Sequence, residues 1–187
     1  MTRGRGHTGI AGIALAAMLV VAPSRVLGSD SSVQSDNDVK AALVFNFAKF
    51  VDWSALPDRA PIRACVVGAQ AIAAALVQIV GEETINGHAV EVSTPGVGTS
   101  WRECQLLFLG STETRPSAEA LRPVSTLPIL TISDSPDFLD MGGIVEFYVE
   151  RSRLRFAINL DAVERSGLRV SARLLGLARI VRGQDVP

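Results

Sequence analysis

Histidine is scarce in this chain, and its scarcity excludes most of the common catalytic chemistry. Only His7 and His88 occur among the 187 residues, and no Gly-x-Ser-x-Gly motif accompanies them. A Ser/His/Asp triad needs a histidine beside a serine nucleophile. His88 instead lies in an alternating strand pattern, so we interpret it as a surface residue of a strand. We predict no catalytic residue, so the sequence offers no support for a hydrolase.

Metal and cofactor motifs are missing as well. No His, Cys, Asp and Glu residues have the spacing of a zinc or calcium site. The acidic pairs Glu82–Glu83 and Asp137/Asp140 lie near predicted turns, where carboxylates usually face solvent. The turn that starts at Gly68 has too few glycines for a dinucleotide site, and no P-loop motif occurs. We predict neither a metal nor a cofactor.

Long apolar runs are absent except near the amino terminus. Arg3 and Arg5 precede an apolar run over residues 10–22, and Gly28 is a small residue suited to cleavage. This order is typical of a secretory signal. A retained anchor is the alternative, but about 13 apolar residues are fewer than the ~20 that span a bilayer. We predict a cleaved signal peptide over residues 1–28 and a periplasmic protein.

An excess of positive charge is also lacking. Removing residues 1–28 leaves 15 basic residues against 19 acidic ones, a formal charge of −4. Proteins that bind nucleic acid usually carry a basic face, so we predict no nucleic-acid partner. Residues 29–37 are rich in Ser, Asp and Asn and are predicted to form a flexible leader. Residues 38–183 are then long enough for one domain.

The two cysteines, Cys65 and Cys104, both lie in the predicted mature chain. An exported domain folds in an oxidising compartment, which favours one disulfide between them. Each cysteine lies in a predicted strand, so neighbouring strands could bring the two together. A reactive or metal-binding thiol is the alternative, and it would need partner side chains that the sequence does not offer nearby.

Short apolar strands alternate with helical stretches along most of the chain. An amphipathic helix is predicted from near Asp38 to near Trp53. The other predicted helices cover residues 71–80 and 117–121, and the predicted strands cover 62–67, 88–93, 104–109 and 128–133. This alternation predicts a single α/β domain, with a mixed, mainly parallel sheet and helices on both faces.

A C-terminal antiparallel hairpin is predicted over residues 144–158. With Arg151-Ser152 at its tip, Val149 faces Leu154 and Phe147 faces Phe156 on the core side, while Glu150 faces Arg153 outside. The apolar pairs set the register. Because Arg-Ser is an unusual pair for such a turn, a longer loop is the alternative.

The end of the chain is predicted to be helical and rich in arginine. Residues 160–165 form a helix that Gly167 closes, and Ser171 caps a final helix that buries Leu174, Leu175, Leu177, Ala178 and Val181. Eight arginines lie here against few acids, and they form either a solvated face or a docking site for an anionic ligand or acidic partner: Arg151, Arg153, Arg155, Arg165, Arg169, Arg173, Arg179 and Arg182.

Leu168 and Val170 stand between the two predicted C-terminal helices. An apolar residue in such a connection is expected to remain at the surface. Exposed apolar patches tend to mark interfaces, so we interpret this connection as a candidate interaction surface.

The order of several segments resembles the YfiR-like family of periplasmic regulators. The segments are the helix at residues 39–53, Cys104-Gln-Leu-Leu-Phe-Leu-Gly110, Pro128-Ile-Leu-Thr-Ile-Ser133, Gly142-Gly143-Ile-Val-Glu-Phe, Leu154-Arg-Phe-Ala-Ile-Asn159 and Ser171-Ala-Arg-Leu-Leu-Gly-Leu-Ala178. The resemblance implies a non-enzymatic protein that inhibits an inner-membrane diguanylate cyclase through the periplasmic domain of that enzyme. It would thereby control cyclic di-GMP and biofilm formation.

The resemblance also assigns roles to particular residues. Cys65 and Cys104 match a family disulfide, while a second cysteine pair of some members is missing. The partner-facing surface would fall on Leu168, Arg169 and Val170. An outer-membrane lipoprotein is a second candidate partner, and a homodimer is a candidate assembly. Family members usually have proline after the tryptophan of the first helix, where this chain has Ser54.

A different class of function stays open beside the regulator. The chain could be a periplasmic binding domain that recognises a small anion or metabolite and signals to another membrane protein. A ligand that raises the melting temperature without any membrane partner would favour that function.

Overall fold

The described residues of this computed structural model are 30–96, 101–111 and 116–183, and they contain eight strands and five α-helices. The predicted signal peptide, residues 1–28, lies outside these ranges. The strands are β1 (Ile62–Val67), β2 (Thr84–Ile85), β3 (His88–Ser93), β4 (Leu106–Leu109), β5 (Leu130–Ser133), β6 (Val145–Glu150), β7 (Arg153–Asn159) and β8 (Arg179–Val181). The helices are α1 (Asp30–Ala48), α2 (Gln70–Val80), α3 (Ala118–Leu121), α4 (Leu160–Ser166) and α5 (Ala172–Leu175).

All eight strands join one mixed sheet in the order β2-β3-β1-β4-β5-β6-β7-β8. Strands β3, β1, β4, β5 and β6 run parallel to one another, while β7 runs antiparallel to β6. Parallel neighbours need a crossover connection, and α2 and α3 lie within two of these connections. The predicted α/β class with a mixed, mainly parallel sheet is confirmed.

The sheet separates two apolar layers. On one face, α1, α2 and α4 cover a core that includes Ile62, Phe108 and Ile132. On the other face, α3 and a short 3₁₀ turn at Trp101–Glu103 cover a smaller core around Leu107 and Phe138. Every residue of β4 and β5 is buried, as expected for parallel strands that are covered on both faces.

Helix α1 differs from its prediction at both ends. It begins at Asp30, inside the segment predicted as a leader, and it ends at Ala48 rather than near Trp53. Once a helix is nucleated, each added residue costs little, so the polar residues before Asp38 extend it. At the other end, the Trp53 indole N–H donates to the Ala48 carbonyl at 2.7 Å and caps the last turn. No helix in the described ranges is long and apolar enough to cross a membrane.

The hairpin has the predicted register. Val149 pairs with Leu154, Phe147 with Phe156, and Glu150 with Arg153. Arg151 and Ser152 form a two-residue turn with φ values of 49° and 58°, the positive φ that a type I′ turn requires. One detail was wrong: Val149 is 73% exposed. Strand β5 pairs with β6 only as far as Glu146, so the tip extends beyond the core.

The predicted final helix is wrong beyond Leu175. Helix α5 has a single turn, and residues 179–181 form β8, which pairs parallel with the second half of β7. Leu174 is buried, but Leu177 is 69% exposed. The β-branched Ile180 and Val181 suit a strand, and the edge of β7 offers them backbone hydrogen bonds that a helix beyond Gly176 would have to forgo.

The predicted disulfide joins Cys65 of β1 to Cys104, with a Cα–Cα distance of 5.9 Å. Cys104 lies just before β4, which starts two residues later than the sequence indicated. Strands β1 and β4 are parallel neighbours, and Cys65 lies opposite Leu107. The disulfide therefore ties β1 to the segment that leads into the neighbouring strand β4.

A partly buried ion pair connects α1 to the carboxyl end of β5. The Lys40 ammonium donates to Asp134 at 2.5 Å, and the Ser111 amide donates to the same carboxylate at 2.9 Å. Burial alone would raise the pKa of Asp134, but these two hydrogen bonds outweigh it and hold the pKa below its ordinary value. The charged form of Asp134 is thus part of the folded structure.

We expect the double variant Cys65→Ser/Cys104→Ser to lower the free energy of unfolding by about 4 kcal/mol, because the disulfide closes a long loop in the unfolded chain. Urea unfolding of the oxidised wild type and the variant, followed by circular dichroism, measures this difference. A variant with an unchanged unfolding midpoint would show that the disulfide is not a source of stability.

We expect Lys40→Met to lower the free energy of unfolding at pH 7 by about 1–3 kcal/mol, because it leaves a partly buried carboxylate without its cation. A carboxyl whose folded-state pKa is depressed stabilises the fold above its unfolded pKa, and this contribution is lost as pH falls through the folded pKa. The deficit of the variant should therefore shrink below the ordinary Asp134 pKa of 3.8. Arg63→Met, which removes an exposed ion pair to Glu103, is the control and should cost less than about 0.5 kcal/mol. Equal losses in both variants would contradict a special role for Asp134.

Candidate functional site

The connection between α4 and α5 follows a helix whose two ends are both well defined. The Asn159 side chain accepts a hydrogen bond from the Ala162 amide at 3.0 Å and caps the start of α4. Gly167 ends this helix in the left-handed conformation, with a φ of 72°. Glycine adopts this conformation without a steric cost from Cβ. The residues that follow Gly167 therefore leave the helix in one defined direction.

These residues pair with the segment that follows α1. Val170 forms an isolated antiparallel bridge with Val51. The Asp52 amide donates to the Arg169 carbonyl at 3.0 Å, and the Ser171 amide donates to the Phe50 carbonyl at 2.8 Å. We call residues 50–54 together with 168–171 the bridge region. It joins the first helix of the domain to its C-terminal part.

Three side chains of the bridge region form a polar cluster at its surface. The Arg169 guanidinium lies 2.6 Å from the Asp52 carboxylate and donates to the Ser54 hydroxyl at 3.1 Å. The Ser54 amide donates to the same carboxylate at 2.9 Å. Hydrogen bonds from the Ser54 amide and hydroxyl lower the pKa of Asp52, and the positive charge of Arg169 adds to this effect. Because Arg169 is 74% exposed, the ion pair contributes little to stability; its effect is to orient the guanidinium.

Two clefts of about 370 Å³ each lie on either side of this cluster. Asp52 and Arg169 line both clefts, so their ion pair forms the wall between them. The first cleft is further lined by Trp53, Ser54, Ala55, Leu56, Gln105, Pro128, Gly167 and Leu168. The second is further lined by Lys49, Phe50, Val51, Asn86, Val170 and Ser171.

The first cleft combines apolar walls with one oriented guanidinium. Leu56, Pro128 and Leu168 supply apolar surface, and Arg169 supplies a planar cation at the rim. Such a cation binds carboxylates through paired hydrogen bonds. The arrangement suits a group with an apolar body and a carboxylate, either a side chain of a partner protein or a small ligand. A volume of about 370 Å³ is at the small end of the range for ligand pockets.

The predicted interaction residues lie together but differ in exposure. Arg169 is exposed, Val170 is half-buried, and Leu168 is only 8% exposed. The expectation that Leu168 remains at the surface is therefore wrong, because the bridge to residues 50–52 pulls the connection onto the core. Leu168 still lines the first cleft. Partner binding by Leu168, Arg169 and Val170 stays a prediction.

The other half of the cluster could not be identified from the sequence. Asp52 and Ser54 come from a segment more than 100 residues away, and nothing in the local pattern indicated that they would meet Arg169. The one signal was Ser54 itself, because it stands where family members usually have proline. Its amide and its hydroxyl each make a hydrogen bond in the cluster.

The remaining candidate residues do not converge on a site. His88 is half-buried, and its Nδ1 lies 2.7 Å from the Ala60 carbonyl oxygen. Asp137, Asp140 and the pair Glu82–Glu83 are exposed. Among the described residues, no three His, Cys, Asp or Glu side chains are grouped so that they could hold a metal ion.

The eight C-terminal arginines divide into two groups. Arg169 pairs with Asp52, Arg182 with Asp161 and Glu164, and Arg165 donates weakly to the Gly142 carbonyl. The others make no ion pair with any described residue: Arg151, Arg153, Arg155, Arg173 and Arg179. Arg179 lies instead over the Tyr148 ring, 4.5 Å from its centroid. The arginines thus do not form one continuous anion site.

We expect Ser54→Pro to raise the pKa of Asp52, because proline has neither the amide N–H nor the hydroxyl that hold the carboxylate in its charged form. Ser54→Ala removes only the hydroxyl and should raise the pKa less. Side-chain carboxyl NMR titration of the wild type and both variants measures the order. If Ser54→Ala shifts the pKa as much as Ser54→Pro does, the backbone amide is not the principal cause.

Two comparisons with known proteins gave matches. The family model described as YfiR/HmsC-like matches residues 37–179. A crystal structure of a conserved domain protein from Vibrio cholerae O1 biovar El Tor is similar at 10% identity, with a TM-score of 0.45. The match covers 77% of this chain and 59% of that one, so this chain spans less than two thirds of that protein's length. Because the family model matches well over half of its residues, the chain belongs to the YfiR/HmsC-like family.

Proposed function

We propose that this protein is a periplasmic regulator that inhibits an inner-membrane diguanylate cyclase and so controls cyclic di-GMP and biofilm formation. Membership of the YfiR/HmsC-like family is the observation that carries the proposal, because the family is regulatory rather than catalytic and suggests diguanylate cyclase signalling. The protein would act by binding the periplasmic domain of the cyclase. A chemical step by the regulator itself is not needed.

The bridge region is our candidate for the surface that contacts the cyclase. Arginine is enriched among the residues that dominate binding energy at interfaces, and aromatic residues accompany it. Here Arg169 is held in place by Asp52 and Ser54, and the half-buried Phe50 lines the second cleft. An oriented cation loses less conformational entropy when a partner carboxylate binds it. Leu168 and Val170 would supply apolar contact on either side.

The first cleft also supports a second candidate function, recognition of a small anion or metabolite. Its volume of about 370 Å³, its apolar walls and its guanidinium would suit a carboxylate attached to a small apolar group. The two functions are compatible, since a ligand in the cleft would touch the residues that we assign to the partner. A ligand could then change the affinity for the cyclase through direct competition.

We expect cellular cyclic di-GMP to rise when the gene is deleted and to return to the parental level when the wild-type protein is restored. Arg169→Glu should fail to restore it, because the substitution places a carboxylate where the cyclase meets a guanidinium. Such a change at an interface residue typically weakens binding by about 10- to 100-fold. Arg102→Glu, an exposed arginine of the 3₁₀ turn, carries the same charge change and should restore the parental level.

The double variant Asp52→Arg/Arg169→Asp separates two explanations. It exchanges the two charges and so keeps an ion pair in the bridge region. If Arg169 acts only within the protein, this variant should complement the deletion, whereas a cation that faces the cyclase should not be replaceable in this way. Periplasmic levels and melting temperatures of all variants show whether each is folded. Unchanged cyclic di-GMP in the deletion strain would exclude the regulator, and a ligand screen by thermal shift would then test the second function.

A further inference from the structure

The outer edge of β7 is only partly covered. Strand β8 pairs with residues 157–159 of β7. The first four residues, Arg153–Phe156, have no strand beside them on that side among the described residues. We call Arg153–Phe156 the open edge. At ~3.3 Å per residue, it offers about 13 Å of strand.

The backbone of the open edge is oriented for pairing. In an antiparallel ladder, hydrogen-bonded pairs alternate with pairs whose N–H and C=O groups point away from each other. The Asn159 amide donates to the Ile144 carbonyl at 2.9 Å, which fixes the phase of this alternation. Ile144–Asn159 is thus a hydrogen-bonded pair, and every second pair toward the turn is of the same kind, ending with Glu150–Arg153. Val149–Leu154 lies between two such pairs, so its N–H and C=O groups point away from each other. The N–H and C=O of Leu154 are therefore directed to the open edge.

The side chains of the open edge alternate in character. Arg153 and Arg155 lie on one face, while Leu154 and Phe156 lie on the other and are partly buried. Neither arginine makes an ion pair with a described residue. Across the ladder on the charged face stand Glu150, opposite Arg153, and Tyr148, opposite Arg155. On the apolar face, Val149 is 73% exposed beside Leu154.

A second copy of this chain is a poor occupant of the open edge. Two copies could pair antiparallel with Leu154 opposite Leu154 and with their apolar faces on the same side of the sheet. Arg153 of each copy would then lie opposite Arg155 of the other copy. Pairing around Arg155 places the two Arg155 side chains opposite each other. Like charges directly opposite one another destabilise a strand pair. The charge pattern therefore favours a different chain.

We propose that the open edge of β7 receives an extended segment of another protein, in which acidic and apolar residues alternate. The segment adds a strand to the sheet through the backbone of Leu154. Its carboxylates pair with Arg153 and Arg155 on one face, and its apolar side chains pack beside Leu154 and Phe156 on the other. This is recognition by strand addition, in which the backbone supplies affinity and the side chains supply specificity. The site is separate from the bridge region and does not depend on the proposed function.

The test uses a blocked six-residue peptide of alternating Glu and Val, with a Lys and Val peptide of the same length as its counterpart. The ¹⁵N-labelled mature protein, with its disulfide intact, is titrated with each peptide. We expect the acidic peptide to shift the amide signals of Arg153–Phe156 and to slow hydrogen exchange of the Leu154 amide. The Val149 amide points to the opposite edge of the hairpin and should exchange at an unchanged rate. The Lys peptide should bind at least about tenfold more weakly.

Charge reversal is the decisive variant. Arg153→Glu/Arg155→Glu should exchange the preference, so that the Lys peptide binds better than the acidic one. Arg102→Glu/Arg122→Glu, with the same change in net charge at two exposed positions elsewhere, should keep the wild-type preference. The proposal is overturned if the acidic peptide leaves the open edge unperturbed, or if the reversed variant keeps the wild-type preference. It is also overturned if the Leu154 amide becomes protected as protein concentration rises without peptide, because a second copy would then be the occupant.

Discussion

The packing of Phe47 against the hairpin positions both candidate interaction surfaces. Its ring lies 4.7 Å from that of Phe156 and 5.7 Å from that of Phe147, measured between centroids. Phe147 in turn lies 6.4 Å from Phe108 in β4. Helix α1 is thus held to the antiparallel end of the sheet as well as to its parallel centre. The helix ends one residue later, at Ala48, and the bridge region begins two residues beyond it, at Phe50.

This arrangement gives a physical route between the two surfaces. Phe156 belongs to the open edge, and Phe50 belongs to the bridge region. Phe50 lies in the turn that follows α1, and its amide donates to the Phe47 carbonyl at 2.9 Å. A partner strand that repacks Phe156 would therefore change the surroundings of Phe47 and the end of the helix. Closely packed interiors respond to such changes as units rather than locally.

How well the sequence predicts a structural feature depends on how far apart along the chain the residues that determine it lie. The hairpin register depends on neighbouring residues whose apolar and polar positions alternate, so Phe147 and Phe156 could be paired from the sequence. The disulfide could be predicted because the predicted mature chain contains only two cysteines, although the sequence did not determine which strands are neighbours. In contrast, the burial of Leu168 depends on a bridge between Val51 and Val170, and β8 depends on an edge of β7 that only the folded sheet presents. The helix-forming residues Leu174 and Leu175 did produce a helical turn, but tertiary pairing determined the conformation after Gly176.

Ser54 shows how one residue can adjust the candidate site without altering the fold. A proline at this position would offer neither an amide N–H to Asp52 nor a hydroxyl to Arg169. The guanidinium would then be held by the ion pair alone, and an exposed ion pair is a weak restraint. With serine, two further hydrogen bonds fix the wall between the clefts. The carboxylate and guanidinium are thereby presented in one orientation, and a partner that fits one cleft meets an Arg169 that is not free to turn toward the other. Ser54 stands where the resemblance implies a proline, and at this exposed position it orients two charged side chains of the surface without being part of the core.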